Sequence, residues 1–446
     1  MKIFLLNPNF NLEKKSVMNV RHRQPLDLVY VTSILRNDGG VVRLLDANVL
    51  DLSNKDVLRN IDDYRPEILI VSTSPVDRWE CPHTHLENIF DLIDKAPAKY
   101  KIIVGSHGTT QPEWVLKQRS VDFVVRGEPE MIIRELVTAL GESKDLYQIK
   151  GISWRTGGSI IHNLPAERII DLDSLPMPAY DLLPMEKYSS SDFEKPFSIM
   201  LTSRGCPYNC TFCLKAMMPG KFVARSPENV LNEIKLLINK FKVKSIYFQD
   251  WEFLIDLKRV ENICQLIIDN NFKFKWGCNA RASDIANNPA LIRLMQEAGC
   301  IKINMGLESG SDEILSNIKK QLTKNDLSDA IKVLRENDIE PGFYMLLNCP
   351  GENSETLKET ANFIVDEKIR VKSVNPVVPY PGTALYDELK QKDGEVAWDK
   401  VEIYAGQVRT IFSPNRAKWL LRHYKWQRKF GKYYWLKIGF WKDMAH

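Results

Sequence analysis

The sequence predicts an α/β protein in which a doubly wound parallel sheet over residues 1–140 is followed by a partial (β/α)6 TIM-like barrel over 196–390. A connector at 141–195 joins them, and a C-terminal helical segment occupies 391–446. Three observations predict this. Short apolar runs alternate with helical patterns twice along the chain, the pattern of parallel sheets crossed by helices. Three cysteines, Cys206, Cys210 and Cys213, follow the first strand of the second series, and barrels of this kind keep their sites at strand carboxyl ends. The composition also changes near the end: from Arg416 to Lys442 there are nine lysines or arginines, nine aromatic residues and no acid.

In the first series, strands are expected at 2–7, 41–45, 67–72, 101–105 and 121–125, with a helix at 26–36 that places Leu26, Val29, Tyr30 and Ile34 at helical spacing. Ligands of doubly wound sheets bind beyond the carboxyl ends of the strands. The residues there are Asn7-Pro8-Asn9, Thr73-Ser74-Pro75, Gly105-Ser106-His107-Gly108-Thr109 and Arg126-Gly127-Glu128-Pro129. Glycines and small hydroxylated residues let backbone approach a large ligand. Neither a G-x-G-x-x-G nor a Walker A loop is present, so these residues alone say only that some ligand binds.

The connector carries a small hairpin around Gly157-Gly158 and a proline-rich stretch at 175–184. The second series has strands expected at 198–202, 245–249, 273–277, 301–305, 342–347 and 371–378. Helices include 227–241, 257–270, 289–298 and 326–337. The strand ends are polar: Gln249-Asp250-Trp251-Glu252, Asn279-Ala280-Arg281, Gly306-Leu307-Glu308-Ser309-Gly310, Asn348-Cys349-Pro350-Gly351-Glu352 and Pro379-Tyr380-Pro381-Gly382-Thr383. Each alone reads equally well as a turn or a helix cap. In barrel order they read as a site.

A chain of 446 residues with 44% hydrophobic and 26% charged residues can bury sizeable cores. No apolar run reaches the roughly 18 residues of a spanning helix. The eight cysteines follow no disulfide framework outside the central trio, which suits a reducing cytoplasm. The net charge of +4 is concentrated in the tail. Three explanations compete for that tail: packing on the barrel with lysines solvated, peripheral contact with an anionic membrane, or an acidic or nucleic-acid partner. Packing is the favoured one and no nucleic acid is expected.

The central stretch is Arg204-Gly205-Cys206-Pro207-Tyr208-Asn209-Cys210-Thr211-Phe212-Cys213. Thiolates at C-x3-C-x2-C wrap a loop round a soft metal centre, and four-iron clusters usually take four of them. With three, one iron stays open to another ligand, as catalytic metal sites keep a vacant position. The trio alone also fits a structural zinc site or three unrelated thiols. The stretch resembles the signature of the radical S-adenosylmethionine (radical SAM) enzymes, and with the upstream loops the chain resembles their cobalamin-binding class.

That resemblance implies a Rossmann-like cobalamin-binding domain, a radical SAM partial barrel and a [4Fe-4S] cluster on Cys206, Cys210 and Cys213. It implies SAM against Phe212, Asp250, Arg281, Glu308 and Ser309. It implies cobalamin over Asn7, Thr73, Ser74, Gly105, His107, Gly108, Thr109, Gly127 and Glu128, with no Asp-x-His-x-x-Gly motif to supply a cobalt ligand. The expected activity is cobalamin-dependent methyl transfer to an unactivated carbon of a small-molecule, lipid or peptide substrate. A flavodoxin or ferredoxin would be the electron donor, and no catalytic acid or base is assigned. The rivals are a radical cyclase, dehydratase or rearrangement enzyme, and a non-catalytic cobalamin or metal sensor. Methylthio transfer to tRNA needs a second cysteine trio, and upstream of the motif only Cys81 is present.

Overall fold

The computed structural model describes residues 1–12, 22–118, 120–371, 373–401 and 414–431. Strands β1 (Lys2–Asn7), β2 (Val41–Asp46), β3 (Ile68–Ser72), β4 (Tyr100–Val104) and β5 (Phe123–Val125) alternate with helices α1 (Leu26–Asn37), α2 (Asn54–Tyr64), α3 (Glu87–Lys95), α4 (Ser106–Thr110), α5 (Pro112–Leu116) and α6 (Pro129–Glu142). The hairpin of the connector forms β6 (Ile152–Thr156) and β7 (Ser159–His162). It does not stand alone: it joins this sheet, whose order is β2-β1-β3-β4-β5-β6-β7. Pairs from β2 to β5 are parallel and the last two are antiparallel. Every residue of β3, Ile-Leu-Ile-Val-Ser, is buried, as expected of a parallel strand covered on both faces.

The second series runs β8 (Phe197–Met200), β9 (Ser203–Arg204), β10 (Val223–Ala224), β11 (Ser245–Phe248), β12 (Lys275–Asn279), β13 (Cys300–Glu308), β14 (Glu340–Leu347) and β15 (Ser373–Pro376). Its helices are α7 (Pro227–Asn239), α8 (Leu257–Asp269), α9 (Ala282–Asn287), α10 (Pro289–Glu297), α11 (Asp312–Asn317), α12 (Lys324–Glu336), α13 (Ser354–Asp366) and α14 (Ala384–Asp393). Six strands form one sheet in the order β15-β14-β13-β12-β11-β8, while β9 and β10 make a separate antiparallel ladder. Short polar side chains start the helices: Ser226 caps α7 just before Pro227, Asp256 caps α8, and Thr323 forms a capping box with Asp326 on α12.

Two compact units divide the chain. The first holds Met1–Pro207, Leu214–Gln249 and Glu395–Asp399; the second holds Tyr208–Cys213, Asp250–Gly394 and the described residues from 400 on. The last described helix, α15 (Pro414–Phe430), packs against α13, buries Ala417, Leu420 and Leu421, and pairs Arg428 with Asp366 at 3.0 Å. That is the packing role favoured for the basic stretch. Residues 402–413 and 432–446 of the expected C-terminal segment lie outside the described residues. Among the described residues, no helix is long and apolar enough to cross a membrane.

Candidate functional site

In the second unit the strand ends gather charge round Lys320. This lysine lies on the turn after α11, and its Nζ donates to Glu308 Oε1 at 2.7 Å. Burial works against the Lys320 charge, but Glu308 and the nearby Cys210 outweigh it and hold its pKa above the ordinary value. The same Nζ stands 5.9 Å from the centre of the Phe212 ring. Glu308 ends β13 at a register shift with φ of +52°, a bulged, left-handed conformation that re-aims its side chain. Arg281 Nη2 donates to the Lys320 and Gln321 carbonyls at 2.5 and 3.1 Å. Its guanidinium lies 3.7 Å over the Tyr208 ring, and its buried Nε has no hydrogen-bond partner among the described residues.

Two more carboxyls, Glu252 and Asp284, lie within electrostatic reach of this group. Burial pushes Glu252 up to about 8 and Glu352 up to about 7. Burial also raises Asp284, which accepts from the Tyr208 hydroxyl at 3.4 Å. The cysteine loop is held by its backbone: Thr211 N–H donates to Ile318 O at 3.0 Å, and Leu385 N–H donates to Thr211 O at 3.0 Å. The structure therefore brings Phe212, Arg281 and Glu308 together. Asp250 instead faces Arg259 at 3.8 Å, and Ser309 bonds Thr360 at 2.9 Å. Lys320 is the residue that sequence reasoning missed. It stands in no motif, and only the preceding Glu-Ser-Gly turn points toward it.

In the first unit, the expected cobalamin residues meet at the carboxyl ends of β1, β3, β4 and β5, but their side chains mostly bind one another. Asn7 Nδ2 donates to Asp46 at 2.8 Å, leaving its Oδ1 buried without a partner among the described residues. Ser106 N–H donates to Ser74 Oγ at 2.7 Å. His107 is fully buried, with Nδ1 3.0 Å from Thr73 Oγ1 and Nε2 donating to His83 O at 2.6 Å. Burial lowers its pKa to about 4, so the ring is neutral, and it packs on Trp398. Gly105 has φ of +112°, and a Cβ there would lie 2.6 Å from Ser74 Oγ; one on Gly108 would meet Val124 at 2.5 Å. Thr109 Oγ1 accepts from Gly127 N–H at 3.0 Å, and Gly127, at φ of +92°, has open space round its Cβ position. Glu128 turns instead to Arg204 and Arg168, at 2.9 and 2.7 Å. What remains for a ligand is glycine-rich backbone.

Cys206 belongs to the first unit and Cys210 and Cys213 to the second; all three are half-buried and outside disulfides. Among the described residues, no three His, Cys, Asp or Glu side chains form a group able to hold one metal ion. Cluster thiolates differ in that each binds a separate iron. By type alone the donors suit the implied groups: cysteine thiols for a cluster, paired cations and carboxyls for a zwitterion, and open glycine backbone for a corrin.

A cysteine loop after the first strand of a parallel sheet, downstream of a doubly wound sheet with glycine-rich strand ends, is an arrangement suited to a protein that binds cofactors. Residues 200–364 match the model of the radical SAM superfamily, and residues 23–137 that of the B12 binding domain. An uncharacterized methyltransferase of Pyrococcus horikoshii is 30% identical over 389 residues, covering 87% of this chain and 83% of that one. The anaerobic magnesium-protoporphyrin IX monomethyl ester cyclase of Rubrivivax gelatinosus is 27% identical over 420 residues, covering 93% and 73%. The radical SAM methyltransferase TsrM of Kitasatospora setae, solved with cobalamin and a [4Fe-4S] cluster bound, shares the fold at a TM-score of 0.67 and 18% identity, covering 87% and 75%. The chain belongs to the radical SAM superfamily, in the class that carries an N-terminal B12-binding domain. It is a radical SAM enzyme, of a class that works with a [4Fe-4S] cluster, SAM and cobalamin.

Proposed function

We propose that this enzyme is a cobalamin-dependent methyltransferase acting on an unactivated carbon of a small molecule. The observation that carries the reading is the pairing, in one chain, of a B12-binding domain with a radical SAM domain, in a chain that aligns with 83% of a relative named as a methyltransferase. When bound, the cluster and SAM supply a 5'-deoxyadenosyl radical, and cobalamin carries the methyl group.

The chain's own residues bind and orient. Cys206, Cys210 and Cys213 hold the cluster. Arg281 and Lys320 meet the carboxylate of SAM, the carboxyl of Glu252 its ammonium, and Phe212 its adenine. The Gly105–Thr109 and Gly127 backbone meets the corrin, with Asn7, Thr73, Ser74 and His107 holding that backbone in shape. A flavodoxin or ferredoxin supplies the electron. Trp419 and Phe430 are exposed on α15 among arginines and lysines, which supports peripheral contact with an anionic membrane; co-flotation with anionic but not neutral vesicles tests it.

The test of the main reading is anaerobic reconstitution with iron, sulfide and hydroxocobalamin, then incubation with a reductant and SAM labelled in its methyl group. Bound iron, retained cobalamin, 5'-deoxyadenosine and label in the product are expected. A chain that holds neither cofactor and leaves SAM intact refutes the reading. A radical cyclase is the second reading, favoured by the Rubrivivax relative aligned over 93% of this chain. It predicts 5'-deoxyadenosine with an unlabelled product.

A further inference from the structure

We propose that Glu128 is a positioning residue for the cysteine loop: one buried carboxylate that fastens both ends of the loop through two arginines. The inference rests on reading Cys206, Cys210 and Cys213 as the cluster ligands.

The loop, residues 205–222, runs between β9 and β10, which pair with Arg204 opposite Val223. At its entry, Arg204 Nη1 donates to Glu128 Oε1 at 2.9 Å and Nη2 donates to Glu130 Oε1 at 2.6 Å. All three side chains are essentially out of water, at 2%, 3% and 0% exposure. Glu128 Oε2 accepts from Arg168 Nε at 2.7 Å and from Ile169 N–H at 3.1 Å. Arg168 in turn reaches the loop exit, where Nη1 donates to the carbonyls of Pro219 at 2.8 Å and Lys221 at 3.3 Å. The two ends also touch directly. Gly205 has φ of +87°, and a Cβ on it would lie 2.7 Å from Lys221 O.

The physical consequence concerns order. A loop whose ends are fixed has less freedom left to lose when its ligands assemble on a cluster. Buried carboxylate–guanidinium contacts keep those ends fixed, because removing one partner leaves a charge stranded away from water. Both Glu128 oxygens are spent in this way. The carboxylate therefore works on the loop and leaves cobalamin to the Gly127 backbone beside it.

The test compares reconstituted, full-length E128Q, R168M and the double variant with wild type. The readouts are the rate of iron loss to a colorimetric chelator and cobalamin retained after desalting. Each single variant is expected to lose iron about ten-fold faster, the scale on which supports of metal ligands act. The double variant should lose it no faster than the worse single one, and cobalamin retention should be unchanged. Iron loss at the wild-type rate overturns the proposal, as does loss of cobalamin with the cluster intact, which would make Glu128 a cofactor contact. Arg168 is 17% exposed, so R168M decides the matter if E128Q does not fold. A wild-type chain that takes up no iron fails the functional reading instead.

Discussion

The carboxyl ends of the two sheets are furnished in opposite ways. At the first, the groups that can hydrogen-bond are turned on one another: His107 on Thr73 and His83, Ser74 on the Ser106 amide, Asn7 on Asp46. At the second, charge is concentrated: Lys320 on Glu308, Arg281 over Tyr208, and carboxyls whose pKa values are pushed up by burial. Glycine-rich backbone suits a broad ligand recognised by shape. Paired charges suit a small zwitterion. Under the proposed function one fold principle would serve two kinds of recognition, and it can be probed from each side.

The largest effect belongs to the cysteines. C213A is expected to lower bound iron and 5'-deoxyadenosine formation by more than about 100-fold, beyond what outer supports of a metal site give, while cobalamin still binds; iron assay and chromatography check this. Next is K320M, which strands Glu308 in a buried setting and should cost about 3 kcal/mol of stability. It should also weaken SAM binding; denaturant melts and isothermal titration read the two effects. G105A forces a Cβ against Ser74 at a φ that disfavours L residues, with an expected cost of about 1–3 kcal/mol. If the comparison holds, it loses cobalamin and keeps iron.

The smallest effects are opposed pH dependences. Glu252 has a folded pKa near 8, against 4.5 for an ordinary glutamate. The folded chain therefore holds the extra proton between those values, and stability falls as pH rises from 4.5 to 8. His107 has a folded pKa near 4, against 6.5. The unfolded chain then holds the extra proton, and stability falls as pH drops from 6.5 to 4. E252Q should reduce the slope between pH 6.5 and 8, where His107 does not titrate, and H107Q should leave that part of the curve unchanged, as thermal melts across pH will show. If H107Q moves the slope above pH 6.5, the assignment of that slope to the second unit is wrong.

Much of this was legible beforehand, for a physical reason. Apolar runs such as Ile-Leu-Ile-Val in β3 are dictated by burial on both faces, so their existence and order can be read from local pattern. Edges were less legible: β12 is Lys275–Asn279, two residues later than expected, because the apolar pattern there begins before the pairing does. Two-residue ladders such as β9 with β10 have no periodicity to read. Lys320 and the partners of Glu128 were hidden for another reason. Their roles come from contacts 12, 40 and 76 residues away along the chain, which no local motif encodes. The Gly127-Glu128 pair was singled out as a ligand-facing turn, yet only the folded chain shows the carboxylate turned to Arg204 and Arg168.

Trp398 closes on His107 from a segment that arrives long after the first sheet is complete in the chain. Anyone wishing to dissect this protein meets the consequence. A fragment cut at the boundary of the B12-binding match would expose an imidazole never meant to see solvent and lack the indole that covers it. Chain order and spatial order part company here, so a deletion series would misreport which half carries which cofactor, and intact protein with point changes is the sounder instrument.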